Sequence, residues 1–321
     1  MDINSLKGER MILLTGATGF LGSNLLRKLV CENYKVICTR RTSSKFDRVK
    51  DVYDKCMWFN TDIYDIEELF KKYDIDILIH CAATFGRREN EYFQVYESNL
   101  VFPLRLFEKA QKYECKYFMN TSTFFVKEIQ NVKNINEKIY LDAYVKSKYF
   151  FSNIIKDGIE NSNIAFLNLQ LEHMYGAGNG AGKFVEYVIR SLKSNVQYLE
   201  LTEGLQTRDW VYIDDVISAY LTILHNLEKY EEGQFYDFEV GTGIEISVKT
   251  FVQEIKKMTH SSTELQFGKI EMHKNELIAS HADNRTLCDL GWKPVYDISK
   301  GIEKMINGEE NEDNYSGDSD L

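Results

Sequence analysis

The chain has 321 residues, of which 44% are hydrophobic and 27% charged, with a formal net charge of -10 at pH 7. That length and mix suit a folded chain with a sizeable core and exclude disulfide-stapled miniproteins and disordered polymers. The balance of 39 basic against 49 acidic residues argues against a nucleic-acid partner, which needs a concentrated positive field.

No apolar run reaches the roughly 20 residues of a spanning helix, and the N-terminus lacks the apolar core of a signal peptide. A cytoplasmic location and no membrane partner are expected. Six cysteines (Cys31, Cys38, Cys56, Cys81, Cys115 and Cys288) show no C-x-x-C spacing, so neither a metal site nor a disulfide framework is expected, only reduced and mostly buried thiols.

In chain order, residues 11–15 form an apolar strand run. Residues 20–30 carry Leu21, Leu25, Leu26, Leu29 and Val30 at helical spacing, and residues 34–39 form a second strand. This β-α-β unit continues as strand 57–60, helix 66–73, strand 75–83, helix 89–112, strand 117–120, helix 144–156 and strand 164–170. The alternation predicts an α/β fold with a doubly wound parallel sheet. Pro103, inside the helix over 89–112, predicts a kink there.

After Leu171 the pattern breaks into a glycine-rich loop (176–182), a helix, short strands and the segment RDWVYIDDV (208–216). A helix over 214–227 and a strand over 235–240 resume the sheet. The expected division is a dinucleotide-binding domain over 1–170 and 211–245, a smaller mixed α/β lobe over 171–210 and 246–307 that closes over the cleft, and an acidic tail over 308–321.

The loop TGATGFLG (15–22) follows the first strand directly and opens the first helix. In that position Gly16 permits a tight turn, Gly19 lets the backbone approach a pyrophosphate at the helix N-terminus, and Gly22 allows close packing of helix on strand. At the end of the second strand, where an NAD site holds an acidic residue to the ribose, the chain reads Thr39-Arg40-Arg41-Thr42-Ser43-Ser44. Guanidinium forks match a phosphate, so NADP(H) is favoured; the bland reading is a solvated basic face. Asp62, at the end of the third strand, is a candidate for the adenine amino group.

Tyr144 and Lys148, four residues apart, share one helix face. A strand ending in Asn120-Thr121-Ser122-Thr123 would bring Thr121 to the same carboxyl edge, where open α/β sheets bind ligands.

These features together resemble the extended short-chain dehydrogenase/reductases of the nucleotide-sugar epimerase, dehydratase and reductase family, over roughly residues 11–306. The likeness is carried by TGATGFLG, by His80-Cys81-Ala82-Ala83 and by Asn99 in ESNL. Thr121, Tyr144 with Lys148, EHMYGAG (172–178), RDWVYIDD and Gly291-Trp292-Lys293-Pro294 complete it. The resemblance implies a Rossmann domain with a nucleotide-sugar lobe. Sugar 4,6-dehydratases carry Asp-Glu where this chain has Ser122-Thr123, and 3,5-epimerase/4-reductases carry Cys at Thr123. Hydride chemistry at one carbon remains.

Two reactions remain open, an NADPH-dependent 4-ketoreductase and an NAD-dependent 4-epimerase or 4-dehydrogenase, and Arg40-Arg41 tips the choice to the reductase. Within the family the segments NTSTFF (120–125), LEHMYGAGNGAGKF (171–184), TEGLQTRDWVYIDDVISAYLTIL (202–224) and NELIASHADN (275–284) are most similar to the CDP-4-keto-3,6-dideoxyhexose 4-reductases of deoxysugar biosynthesis. A dinucleotide-sensing regulator on this fold would have no need for Tyr144 and Lys148.

The resemblance implies Thr121, Tyr144 and Lys148 as catalytic residues. Tyr144 would protonate the developing alkoxide, Lys148 would hold the nicotinamide ribose and favour the phenolate, and Thr121 would orient the same oxygen. A free tyrosine titrates near ~10, so phenolate chemistry at neutrality needs a depression of about three units, about 4 kcal/mol. Gly16, Thr18, Gly19, Phe20, Leu21, Arg40, Arg41, Ser43, Asp62, Ile63, Ala82, Ala83, Asn99, Tyr144, Lys148 and Leu171 are expected around the cofactor, with Asn99 holding a relay water. Thr84, Thr121, Ser122, Thr123, His173, Lys183, Phe184 and Arg208 are expected around the substrate. Arg208 would take the diphosphate unless it forms a salt bridge to Asp209 or Asp214, and Lys183 with Phe184 would clamp diphosphate and base. The implied partners are a nucleotide-diphosphate sugar, CDP favoured, and a second copy of the chain, because helices 89–112 and 144–156 occupy the positions of the family's dimer bundle. Gln170, where relatives carry Arg, and Phe124-Phe125, where they carry Val-Tyr, depart from the pattern.

Overall fold

The computed structural model describes residues 10–86, 92–131, 142–180, 182–273 and 276–309. The apolar runs of the first half become strands covered on both faces, which explains why they read as continuous rather than alternating. In order they are β1 (Met11–Thr15), α1 (Phe20–Cys31), β2 (Lys35–Arg40), β3 (Met57–Asn60), α2 (Ile66–Lys72) and β4 (Ile77–His80). Then α3 (Tyr92–Tyr96) passes through a π turn (Glu97–Val101) into α4 (Phe102–Lys112), followed by β5 (Tyr117–Thr123), α5 (Val126–Asn131), α6 (Asp142–Gly158) and β6 (Ala165–Leu171).

Seven strands form one sheet in the order β10-β6-β5-β4-β1-β2-β3, where β10 is Phe235–Val240. β1 runs parallel to β2 (Met11 opposite Lys35) and to β4 (Ile12 opposite Ile77), so the winding reverses between β1 and β4. That reversal is the crevice where doubly wound sheets bind ligands. One face is closed by Leu106 and Ala110 of α4 and Phe151 and Ile155 of α6 against Leu13, Leu78, Phe118 and Phe166 of the strands. The Phe118 and Phe166 rings stack 5.2 Å apart. Each such side chain contributes about 1.5–3 kcal/mol on burial.

The kink expected at Pro103 takes the form of the π turn. Proline has no N–H to give to the carbonyl four residues back and its ring crowds that carbonyl. The chain widens just upstream instead, with Phe102 N donating to Glu97 O, five residues back. Residues 89–91 of the expected helix and residues 310–321 of the acidic tail lie outside the described residues.

The remaining elements are β7 (His173–Tyr175), α7 (Phe184–Lys193), β8 (Tyr198–Leu201), β9 (Thr207–Tyr212), α8 (Ile213–Leu224), β11 (Glu245–Ser247), α9 (Val248–Thr259), β12 (Glu264–Phe267), α10 (Arg285–Asp289) and α11 (Ile298–Glu309). They include a three-stranded sheet, β11-β9-β7, and a parallel pair, β12-β8.

The chain divides into Met1–Gln170 with Ala219–Phe238, and Leu171–Ser218 with Glu239–Leu321. The first boundary falls where the pattern breaks. Residues 211–218 and 239–245, expected in the first domain, group with the second unit instead. The Asp215 carboxylate accepts from the backbone N–H of Val295 and Tyr296, and Trp292 Nε1 donates to Ser218 Oγ at 2.8 Å. The Asp209 carboxylate likewise accepts from Thr242 N, Gly243 N and Ala282 N. These are contacts between residues far apart in sequence, which local pattern does not register.

Among the described residues no helix is long and apolar enough to cross a membrane. The thiols are less buried than expected: Cys38 and Cys115 are buried, Cys56 and Cys81 partly so, and Cys31 and Cys288 are exposed.

Candidate active site

In the first unit the expected residues gather at the carboxyl ends of β1 to β6. Gly16 adopts φ +70°, and a Cβ there would lie 2.6 Å from Ala82 N. A Cβ on Gly22 would lie 2.1 Å from Gly16 O, so Gly22 packs α1 against the loop itself rather than against a strand. Gly19 is different. It begins α1 with no side-chain cap, no acidic residue follows in the first turn, and its own Cβ would meet only Gly16 O at 3.2 Å. The first N–H groups of α1 are left for an anion, and the space above Gly19 is open to one, which fits a dinucleotide pyrophosphate. Thr18, Phe20 and Leu21 lie on this turn. Thr15 Oγ1 meets His80 Nδ1 at 2.8 Å and accepts from Ala82 N at 3.3 Å, which ties β1 to the Ala82-Ala83 turn. Burial holds His80 neutral, down to about 3.

Beyond β2 the backbone turns sharply: Arg41 N donates to Ser44 Oγ at 2.9 Å, and Ser44 N donates to Arg41 O at 3.1 Å. Ser43 sits at the tip, exposed. Among the described residues neither Arg40 nor Arg41 is in an ion pair. Asp62 Oδ2 accepts from Thr42 N at 2.7 Å, so this carboxylate fixes the arginine loop while its other oxygen stays at the surface beside exposed Ile63.

Tyr144 and Lys148 lie on the inward face of α6 with Val145, Phe151 and Ile155. A helix that buries a phenol and an ammonium among apolar residues bears a cost that packing alone does not explain. Lys148 Nζ donates to Thr121 O at 2.6 Å and lies 5.8 Å from the Tyr144 ring centre. Burial pulls Lys148 down to about 8 and pushes Tyr144 well above the ordinary tyrosine value. Burial of these residues alone therefore opposes the depressed phenol that the sequence reading calls for. A hydrogen bond from Thr123 favours the phenolate, by less than burial opposes it.

Thr121 is arranged differently from expectation. Its hydroxyl meets Tyr220 Oη at 2.7 Å and Cys81 Sγ at 3.4 Å, turned into the protein, while Thr123 is the threonine that meets the Tyr144 phenol. Ser122 Oγ, on the opposite face of β5, is buried without a hydrogen-bond partner. Phe85 stacks on Tyr144 at 4.6 Å. Sequence reasoning placed Cys81 and Tyr220 in segments that carry the resemblance but gave neither a role, and it missed Phe85; Tyr220 is 99 residues from Thr121.

Asn99, inside the π turn, uses both amide donors and one acceptor position of its carbonyl oxygen. Oδ1 accepts from Thr84 N at 2.8 Å, and Nδ2 donates to Thr84 O and to Ser147 Oγ. It fixes the loop after β4 and Ser147 on the helix of Tyr144, and the second acceptor position of Oδ1 is left for the expected water. Leu171 closes β6, buried.

In the second unit, Arg208 is buried and pairs with Glu276 Oε1 at 3.0 Å, not with Asp209 or Asp214. Glu276 also accepts from Gln206. His173, opposite Trp210 in the β7–β9 register, is held neutral by burial and by the Arg208 charge. Lys183 caps α7, and Phe184 is 39% exposed, with its ring stacked toward Trp210, which lies 4.1 Å from Phe251. The outer end of this ring stack faces solvent and offers a flat apolar platform.

Comparisons with known proteins agree with this geometry. The NAD dependent epimerase/dehydratase family matches residues 12–241. The CDP-abequose synthase of Salmonella muenchen is 36% identical over 312 residues, covering 97% of this chain and all of that protein. That of Salmonella typhimurium is 33% identical over 301 residues, 93% of this chain and 98% of the relative. Among solved structures, the UDP-glucose 4-epimerase of Thermotoga maritima with UDP-glucose superposes with a TM-score of 0.79 at 22% identity, over 94% of this chain and 99% of that one. The UDP-glucuronic acid 4-epimerase of Bacillus cereus, solved with UDP-glucuronic acid and NAD, gives 0.79 at 21%, with the same coverage. The fold expected from the alternation is thus met, and with it the resemblance read from the motifs. An open helix N-terminus at the switch point, a buried tyrosine and lysine at the strand edge, and likeness along nearly the whole length lead to one conclusion: the chain belongs to the NAD dependent epimerase/dehydratase family of enzymes.

Proposed function

We propose that this protein is an NADP(H)-dependent nucleotide-sugar 4-ketoreductase, acting on the C4 ketone of a nucleotide-linked 4-keto-6-deoxy or 3,6-dideoxy hexose with CDP as the favoured nucleotide. The observation that carries the reading is the buried Tyr144 beside Lys148, in a chain whose β2 ends in two guanidiniums without a carboxylate. Reduction of a ketone needs a proton donor at the new hydroxyl, and Tyr144, with the Lys148 charge beside its ring to favour loss of the proton, supports that role. The two relatives named CDP-abequose synthase support the choice of nucleotide.

When bound, NADPH would supply the hydride. The residues of the chain do the rest. The N-terminus of α1 receives the pyrophosphate, and Arg40 with Arg41 receives the 2′-phosphate. Tyr144 passes its proton to the oxygen that was the ketone, with Thr123 steadying the phenol. Lys148 places positive charge near the ring as that proton leaves. Arg208, Lys183 and Phe184 are assigned to diphosphate and base.

The test follows NADPH absorbance with CDP-, GDP- and dTDP-4-keto-6-deoxyhexoses, with Tyr144→Phe as control. Consumption with one substrate, lost in the variant, is expected. Constant NADPH together with NAD released on denaturation would overturn it in favour of a 4-epimerase or 4-dehydrogenase. A homodimer is also proposed. Phe93 is 78% and Ile154 49% exposed on α3 and α6, and Phe93→Asp with Ile154→Asp should halve the mass seen by light scattering.

A further inference from the structure

We infer that the rings of Phe46, Tyr53 and Trp58 form a bracket that holds Arg40 ready for the 2′-phosphate, making Phe46 a specificity-determining positioning residue for the cofactor; this rests on the NADP(H) reading above. Three large rings stay partly in water at this edge of the sheet. Phe46 meets Tyr53 edge-on (4.9 Å, 83°) and Trp58 edge-on (5.0 Å, 86°), while Tyr53 and Trp58 stack at 5.4 Å. Trp58 Nε1 donates to Tyr53 O at 3.0 Å and locks the last two together. Phe46 is thus held across both rings, and the Arg40 guanidinium carbon lies over its ring, 5.7 Å from the centre.

An arginine on a turn loses rotamer freedom when it grips a phosphate. A carboxylate partner would pre-order it but would neutralise the charge the phosphate needs. An aromatic face orders the guanidinium and leaves its charge and its donors available. Arg40 Nη1 makes only a long contact with Arg41 O, 3.5 Å, and no ion pair among the described residues. The bracket therefore acts on a cofactor that carries the extra phosphate and is indifferent to one with a free 2′-hydroxyl.

The test is equilibrium binding of NADPH, NADH and 2′,5′-ADP to the full-length protein by calorimetry. Phe46→Leu should raise the Kd for NADPH and for 2′,5′-ADP about two- to fivefold and leave NADH unchanged. Phe46→Tyr should restore the wild-type values, and Arg40→Met should give a larger loss with the same selectivity. Equal weakening of NADPH and NADH in Phe46→Leu, or no weakening where Arg40→Met loses selectivity, would overturn the bracket alone. A wild-type protein that binds NADH as tightly as NADPH would overturn both the bracket and the NADP(H) reading.

Discussion

The hydroxyl of Thr121 meets the hydroxyl of Tyr220 at 2.7 Å, deep in the first unit, and Thr123, two residues on, is the one that touches Tyr144. The two threonines are therefore placed differently, and the main-chain carbonyl of Thr121 receives Lys148.

Thr123→Val should accordingly lower kcat about ten- to a hundredfold with little change in melting temperature. Thr121→Val should leave kcat within a few-fold and lower stability by about 1–3 kcal/mol, because the buried Tyr220 hydroxyl loses its partner. Paired kinetics and urea unfolding of both variants decide the matter; a large kcat loss confined to Thr121→Val would restore the original assignment.

Lys148 yields a pH prediction. Its folded value is about 8, pulled down by burial from 10.5. Between those values the unfolded chain holds a proton that the folded chain has released, so this group makes stability rise with pH across that window. Below about pH 8 the cost of burying the charge is present in full, about 3 kcal/mol. The stability of Lys148→Met relative to wild type should fall by about that amount between pH 7.5 and 10.5, measured by urea unfolding. A flat difference would show that the lysine stays protonated throughout.

How much was legible follows from the range of each interaction. The strand and helix alternation, the phosphate loop and the Tyr144–Lys148 spacing are encoded within a few residues, and all were readable. The partners of Thr121 and Arg208 are not. Glu276 lies 68 residues from Arg208, and although its segment carries part of the resemblance, nothing in the sequence pairs the two. The direction of the Tyr144 shift is set by burial, which a motif does not show and which outweighs the hydrogen bond from Thr123.

The three loop glycines should separate fold from binding. Gly16→Ala and Gly22→Ala force a Cβ against backbone at 2.6 and 2.1 Å and should each lower stability by about 1–3 kcal/mol or more. Gly19→Ala meets only Gly16 O at 3.2 Å and should cost about 1 kcal/mol or less, yet weaken cofactor binding at least about tenfold. Thermal melts beside cofactor titration check both halves, and an unchanged Kd in Gly19→Ala would move the pyrophosphate elsewhere.

Arg208 separates a structural from a binding role most sharply, because its pair with Glu276 supports either. The arginine side chain is 4% exposed and the glutamate 21%, so Arg208→Met strips a largely buried carboxylate of its cation and should cost about 3 kcal/mol. Adding Glu276→Leu removes the orphaned charge and should recover most of that stability. If Arg208 grips the substrate diphosphate, KM for the nucleotide sugar stays raised about tenfold or more in the double variant, with NADPH affinity unaltered. If the pair only braces β9, KM returns with stability. Glu276→Gln completes the argument: it leaves the guanidinium without its counter-charge, so stability should fall while KM falls with it, as the freed donors turn to phosphate. A KM that rises in Glu276→Gln would assign the glutamate itself to the task of aiming Arg208.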